Sequence, residues 1–323
     1  MPQVSDGNKS ELQAMAKSLI EGKLVAIPTE TVYGIAADAM NELAVQRMYE
    51  VKGRPKNHPV IVHISKFELI NFWALEIPEY LDSLINKFWP GPLTIILRRS
   101  KNVQDWITGG QDTIGLRMPK HEKTLELLKE FHQLGGKGIA APSANKFGRV
   151  SPTSLVDVLS DIGRELNDYD WVLDGGKSEI GIESTIVDSR EESPKILRPG
   201  AISKEMISKV CGRAVTPNQS EISYSKTQVS GLLAKHYSPK ANVRISNTCN
   251  PGEGFIAMRQ IPSPNGSIRL NSPLNLEEFA SDLYTTLRKA DELKLPSVVV
   301  AVPEGDGLAE AIRDRIYRAA GSP

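Results

Sequence analysis

Two cations, Lys52 and Arg54, are separated by one glycine in Lys52-Gly53-Arg54-Pro55, and two small donors, Ser143 and Asn145, are separated by one alanine in Ala141-Pro142-Ser143-Ala144-Asn145. An ammonium, a guanidinium and neutral donors are groups that hold a polyanion. Pro28-Thr29-Glu30-Thr31-Val32-Tyr33-Gly34 follows the apolar run 23–27, and His63 sits in the apolar run 60–64. In the segment 113–118, Thr113, Gly115 and Arg117 share one face of a strand, because side chains alternate with period two. An arginine in so apolar a strand wants an anionic partner. Each group also has a plainer reading. Lys52 and Arg54 suit a helix C-terminus, His63 a satisfied core position, Ser143 and Asn145 a turn or cap, and Glu183-Ser184-Thr185 an ordinary loop before a strand. No single residue decides between them.

Polar groups at strand ends work together only if a scaffold gathers the ends, and an open α/β sheet builds its ligand crevice there. From Asn8, the residues Leu12, Met15, Ala16, Leu19 and Ile20 recur at helical spacing and stop at Gly22. Further helical patterns cover 41–51, 78–88, 121–134, 153–162 and 202–211. Short apolar runs read as strands at 60–64, 93–97, 113–118, 138–141, 171–173, 184–188 and 195–197. This is a mixed α/β pattern. A polar stretch without period, 216–225, marks a linker. Past it, strands at 243–245, 255–258 and 297–302 accompany a long amphipathic helix over 276–293 and a closing helix over 308–320, a small Rossmann-like layout. The expected organisation is a catalytic domain over 1–212, a linker over 213–240 and a second domain over 241–323.

Composition excludes several function classes. Lys+Arg and Asp+Glu number 39 each, so no overall positive field draws in nucleic acid. Cys211 and Cys249 form no C-x-x-C pair, and neither a zinc ribbon nor a disulfide framework is signalled. No run approaches the ~18 apolar residues of a membrane span. The polar N-terminus lacks the order of a secretory signal, and a cytoplasmic protein is expected. Gly176-Lys177-Ser178 resembles the end of a P-loop, yet Trp171 stands where its first glycine is needed. Gly252-Glu253-Gly254 matches a dinucleotide fingerprint in letters only, without a helix signal behind it. H-E-x-x-H and G-x-S-x-G do not occur.

A series of blocks runs through the first domain: P-T-E-T-V-Y-G at 28–34, K-G-R-P at 52–55, P-V-I-V-H-I at 59–64, F-W-P-G-P-L-T at 88–94, R-M-P at 117–119, A-P-S-A-N at 141–145, S-P-T at 151–153, G-I-E-S-T-I-V-D at 181–188 and L-R-P-G at 197–200. Past the linker come Lys235-His236-Tyr237-Ser238-Pro239 and Gly305-Asp306-Gly307-Leu308-Ala309. In order and spacing these blocks closely resemble the YrdC-type threonylcarbamoyl-AMP synthase family, in its long form with an appended C-terminal domain. Ile35-Ala36 departs from the leucine-glycine common after the first block, and Ser230 stands where proline is usual.

The resemblance implies a twisted mixed-sheet YrdC-like domain followed by a small Rossmann-like α/β domain. It implies an L-threonylcarbamoyladenylate synthase, a nucleotidyltransferase that makes threonylcarbamoyl-AMP and pyrophosphate from L-threonine, bicarbonate or CO2, and ATP, for threonylcarbamoyladenosine modification of tRNA. ATP-binding roles carry over to Lys52, Arg54, His58, Thr113, Ser143, Asn145, Ser151, Arg198 and Tyr237, with Lys52 and Arg54 catalytic. Threonine-binding roles carry over to Thr31, His63, Arg117, the backbone of Ala141, and Ser184, with Arg117 the bidentate clamp for the carboxylate. Magnesium is expected with ATP, its ligands unspecified, and no protein-bound zinc or organic cofactor is expected. A downstream threonylcarbamoyl transferase acting on tRNA would consume the product, with at most a weak tRNA contact here and no membrane partner. The linker, with Tyr237, would close over the nucleotide. Truncation after Arg213 would then leave a folded first domain with weakened use of ATP. The alternative is a non-catalytic RNA-binding module of the same fold. Zero net charge and the lack of interleaved aromatic and basic residues count against it. A related carbamoyl-adenylate enzyme of metallocentre assembly would need acylphosphatase and zinc-finger regions, for which the chain has neither room nor cysteines.

Overall fold

The structure, a computed structural model, describes residues 1–216, 229, 231 and 235–321. Among these, strands fall at β1 (Gln3–Ser5), β2 (Val25–Ile27), β3 (Gly34–Asp38), β4 (Ile61–His63), β5 (Ala74–Leu75), β6 (Leu93–Arg99), β7 (Thr113–Arg117), β8 (Ile139–Ala140), β9 (Trp171–Leu173), β10 (Thr185–Asp188) and β11 (Lys195–Arg198). They form one mixed sheet in the order β1-β9-β2-β3-β8-β4-β7-β6-β10-β11, with β5 on β6. The second sheet, in the order β12-β15-β13-β14, uses β12 (Asn242–Ile245), β13 (Gly254–Ile256), β14 (Ile268–Asn271) and β15 (Ser297–Val300), and every pairing in it is parallel. Both halves of the expected fold are present.

Local chemistry explains the elements that frame the site. The helix Lys9–Ile20 starts in a capping box, with the Asn8 side chain accepting from Glu11 N and the Glu11 carboxylate accepting from Asn8 N. Its buried face, Leu12, Met15, Ala16 and Leu19, packs with Leu127, Leu128 and Phe131 of the helix Glu122–Gln133. The helix Glu42–Lys52 is capped by Asn41 and ends at Gly53, whose φ of 62° is the left-handed C-cap that glycine adopts most readily. That stop puts Lys52 in the last turn and Arg54 just beyond it.

Register then gathers the polar strand ends. β4 pairs parallel to β7 with His63 opposite Arg117, and β8 pairs antiparallel to both β4 and β3. A bridge from Gly34 to Ser143 joins the loops that carry the first block and the serine-asparagine block.

The expected helices form with edges shifted, 78–88 beginning at Leu81 and 202–211 at Lys204, and the short helices Ile70–Trp73 and Asp105–Thr108 are additional. β1, β3, β5 and β14 are additional to the strands expected. β3 reads Gly-Ile-Ala-Ala-Asp, a composition of low strand propensity that becomes a strand through its pairing with β2 and β8. The helix Lys204–Cys211 buries Ile207 in the core that holds Leu81, Leu84 and Ile85, so it belongs physically to the first domain. Of the expected linker, 217–228, 230 and 232–234 lie outside the described residues, and with them most of the proposed lid.

The two domains share a core. Val32, Val150 and Ile182 from the first pack with Tyr237 and with Phe279, Leu283, Tyr284, Ile312 and Ile316 from the second. Arg288 in the helix Leu276–Glu292 reaches across to Asp157 and Asp161. Truncation after Arg213 would therefore uncover apolar surface that the folded first domain expected from sequence would have to leave exposed. At Gly181, φ is +75° and an added Cβ would fall 2.5 Å from Ser281 Cα in the other domain. Gly181→Ala should lower stability by about 1–3 kcal/mol through backbone strain and loss of this close approach, read as a drop in the thermal unfolding midpoint of the full chain.

Candidate active site

The converging loops enclose a cavity of about 680 Å³, counting the space open to solvent. Of the residues expected at the ATP end, Lys52, Arg54, Ser143, Asn145, Arg198 and Tyr237 line it. From the threonine set, Thr31, His63, Arg117, Ala141 and Ser184 line the same cavity. Three expected residues lie off its wall. Ser151 stands behind it and donates to Glu183 Oε1 at 2.6 Å. His58 is half-exposed beyond Phe147, with the two rings edge-on and their centroids 5.4 Å apart. Thr113 lines a neighbouring hollow of about 310 Å³ with Gly115 and Val229, and Ile61 borders both spaces. Thr113, Gly115 and Arg117 thus share a face, as strand alternation requires.

The cations are buried, and each is satisfied differently. Lys52, only 2% exposed, donates to the carbonyls of Ser143 and Asn145, the latter at 2.6 Å. Burial, reinforced by Arg54, pushes its pKa well down. The helix-terminus reading of Lys52 is right about position, yet the ammonium points inward and pins the serine-asparagine loop. Arg54 donates to Pro59 O at 2.8 Å and lies over the rings of Tyr49 and Phe147, at 5.9 and 5.7 Å. Arg198 donates through Nε and Nη2 to Ser184 O at 3.1 and 2.9 Å. Arg117 has an internal counter-ion: its Nη2 lies 2.8 Å from Glu30 Oε1, and Glu30 Oε2 accepts from Lys120 N. The anionic partner that its strand demanded is thus supplied by the protein itself.

The imidazoles are held neutral. Burial, with Arg117 alongside, takes His63 down to about 3. His236 is also pushed to about 3 by burial and by the charges of Lys52, Arg54 and Arg198, against an opposing pull from Glu183. Asn145 Oδ1, His236 Nδ1 and Tyr237 OH are buried without a hydrogen-bond partner among the described residues. Orphaned polar atoms around a cavity call for a ligand. Tyr237 also holds a φ of +60°, a strained conformation for a residue with a side chain.

Sequence reasoning passed over Glu183, His236 and Glu30. Glu183 was open to reading as loop filler, but it is buried, accepts from Ser151, Tyr284 and Arg315, and lines the cavity. Burial alone would raise its pKa, yet Arg315 and Arg198 bring it down to about 2. Its position directly before Ser184 in the G-I-E-S-T block was the available signal. Lys52, Arg54, Arg117 and Arg198 thus face one lining carboxylate, a positive balance suited to a polyanion.

A family model described as "Telomere recombination" matches residues 17–200, and one described as "Threonylcarbamoyl-AMP synthase, C-terminal domain" matches residues 202–321. The chain belongs to the threonylcarbamoyl-AMP synthase family. Curated relatives carrying the name threonylcarbamoyl-AMP synthase include one from Pyrococcus abyssi, 38% identical over 96% of this chain and 94% of its own. Another, from Bacillus subtilis, is 33% identical over 97% and 94%. The solved structure of P. abyssi Sua5 complexed with L-threonine superposes with a TM-score of 0.87 at 35% identity, covering 99% of this chain and 97% of that one. The threonylcarbamoyl-AMP synthase family in its long form therefore accounts for both domains, and its second family model begins at 202, before the helix Lys204–Cys211 that packs with the first domain.

The neutral histidines make stability depend on pH. Below about 6.5 the unfolded chain takes up protons that folded His63 and His236 refuse until about 3, so stability falls as pH drops through this window. Each histidine contributes about 1.4 kcal/mol per pH unit below 6.5. Denaturant unfolding at pH 6.5 and 5 should show the loss, and His63→Gln with His236→Gln should flatten it.

Proposed function

We propose that the chain is an adenylyl-transferring enzyme that condenses L-threonine, CO2 derived from bicarbonate, and ATP into threonylcarbamoyl-AMP and pyrophosphate. The observation that carries this reading is a single cavity, in a chain of this family, whose lining joins buried cations to His63, Arg117 and Thr31. The P. abyssi relative's complex with L-threonine supports the amino-acid part. The threonine amine, losing a proton, adds to CO2 to form a carbamate. A carbamate oxygen then attacks the α-phosphorus, and the bond to the β-phosphate oxygen breaks to release pyrophosphate.

No protein nucleophile is required. Lys52, Arg54 and Arg198 would stabilise charge on the phosphoryl oxygens, with Ser143 and Asn145 beside them. Arg117 and the neutral His63 would orient threonine, and burial would shield the water-labile carbamate. Among the described residues no group of three His, Cys, Asp or Glu side chains could hold a metal ion, and magnesium, which takes one or two carboxylates beside phosphate oxygens, would arrive on the triphosphate. The product would pass to a threonylcarbamoyl transferase acting on tRNA, which suits a cytoplasmic location. No helix of the described residues is long and apolar enough to cross a membrane.

Threonine-dependent pyrophosphate release from ATP and bicarbonate tests the reading directly, and its absence in the purified full chain would overturn it. Arg54→Ala should slow that release about a hundredfold, roughly 3 kcal/mol of transition-state stabilisation. Unchanged turnover in this variant would remove Arg54 from the chemistry.

A further inference from the structure

We propose that Arg315, in the last helix of the second domain, is a positioning residue for the nucleotide end of the cavity. The inference rests on the function proposed above, because it takes Ser151, Arg198 and Tyr237 as parts of the ATP site. Arg315 is 0% exposed and does not line the cavity. Its guanidinium nevertheless reaches three of the cavity's supports at once. Nε donates to Glu183 Oε2 at 2.8 Å, and Glu183 in turn accepts from Ser151 Oγ at 2.6 Å and from Tyr284 OH at 2.8 Å. Nη2 donates to Pro199 O at 3.0 Å, fixing the backbone directly after Arg198. The guanidinium plane also lies 5.4 Å from the centroid of the Tyr237 ring. Nη1 is held by Asp314, which fixes the fork on its own helix.

A planar fork with several donors can hold these partners together, whereas a point charge cannot. Glu183 depends on it, since a buried carboxylate that loses its cation is left uncompensated. A simple staple between domains would need none of this geometry. Of the threonine set only Ser184 adjoins these bonds, through the Glu183 carbonyl that accepts from Nη2 at 3.4 Å, and among the described residues no hydrogen bond joins Arg315 to Arg117, His63 or Thr31. The second domain thereby supplies part of the active-site framework.

The test uses the full chain, with pyrophosphate release measured against ATP and against threonine separately. In Arg315→Met the KM for ATP should rise fivefold or more while the KM for threonine stays within twofold, and adding Glu183→Gln should recover part of the ATP effect. Val299→Ala, a truncation in the separate second-domain core formed with Phe255, Ala257 and Ala301, should lower thermal stability and leave the KM for ATP within twofold. If Arg315→Met gives no soluble protein, Arg315→Lys decides by the same ATP criterion, because lysine keeps the charge and loses the fork. A smaller rise in ATP KM, an equal rise for threonine, or an equal ATP effect in Val299→Ala overturns the positioning role while leaving the synthase reading intact. Failure of the unaltered chain to release threonine-dependent pyrophosphate removes both.

Discussion

Positive charge held out of water is the constraint on which this structure turns. Lys52, Arg54, Arg117, Arg198 and Arg315 are all buried. A buried ion left bare costs several kcal/mol, of order, even after the protein relaxes around it. Arg117 and Arg315 meet carboxylates, Glu30 and Glu183. Lys52 meets backbone carbonyls, and Arg54 meets a carbonyl and two aromatic faces. Dipoles and ring faces stabilise a cation without cancelling its charge. The cavity therefore keeps an attraction for an anion, and the supports that tolerate this, the Gly53 stop, the β4–β7 register and the pinned 143–145 loop, are the local features the fold supplies.

The same electrostatics ties the two domains together. Glu183 belongs to the first domain by sequence, but its charge is balanced chiefly by Arg315 from the second, with Arg198 adding to it. Val32, Val150 and Ile182 likewise find their apolar neighbours across the boundary. A division drawn at 212 follows the chain, whereas the physical unit around the cavity draws on both domains. Gly181 marks how closely they meet, since there is no room for a methyl group at that point.

Much of this was legible in the sequence, and the gaps have physical causes. Periodicity finds helices such as Leu308–Ala320, because an amphipathic face repeats whatever it packs against. Strand β3 escapes it, since glycine and alanine carry little strand preference and the pairing with β2 and β8 is what holds the segment extended. At the site, the cation pair and the serine-asparagine pair stand out because their types suit one ligand. Glu183 and Glu30 do not, because an isolated glutamate in a loop looks solvated until its buried partner is known. Arg117 shows the limit from the other side: its need for an anion was readable, but not that Glu30 would meet it. Thr113 and Ser151 illustrate a further limit, since sharing a strand face or a block does not by itself place a side chain on the wall of one cavity.

The cavity's charge bears on both halves of the proposed reaction. Capture of CO2 requires a neutral amine, and the positive surroundings that attract a triphosphate also disfavour an ammonium by like-charge repulsion. Threonine bound near Arg117, with Lys52, Arg54 and Arg198 lining the same space, would give up its amine proton more readily than in water. Once the carbamate forms, its new negative charge is attracted by those cations, so the field that favours deprotonation also favours the product of that step. The neutral state of His63 fits this proposal, because a hydrogen-bonding imidazole would orient the amino acid without adding to the positive charge already present. A single electrostatic arrangement can then prepare the nucleophile and hold the phosphates it attacks, which explains how adenylyl transfer could proceed here without a protein nucleophile.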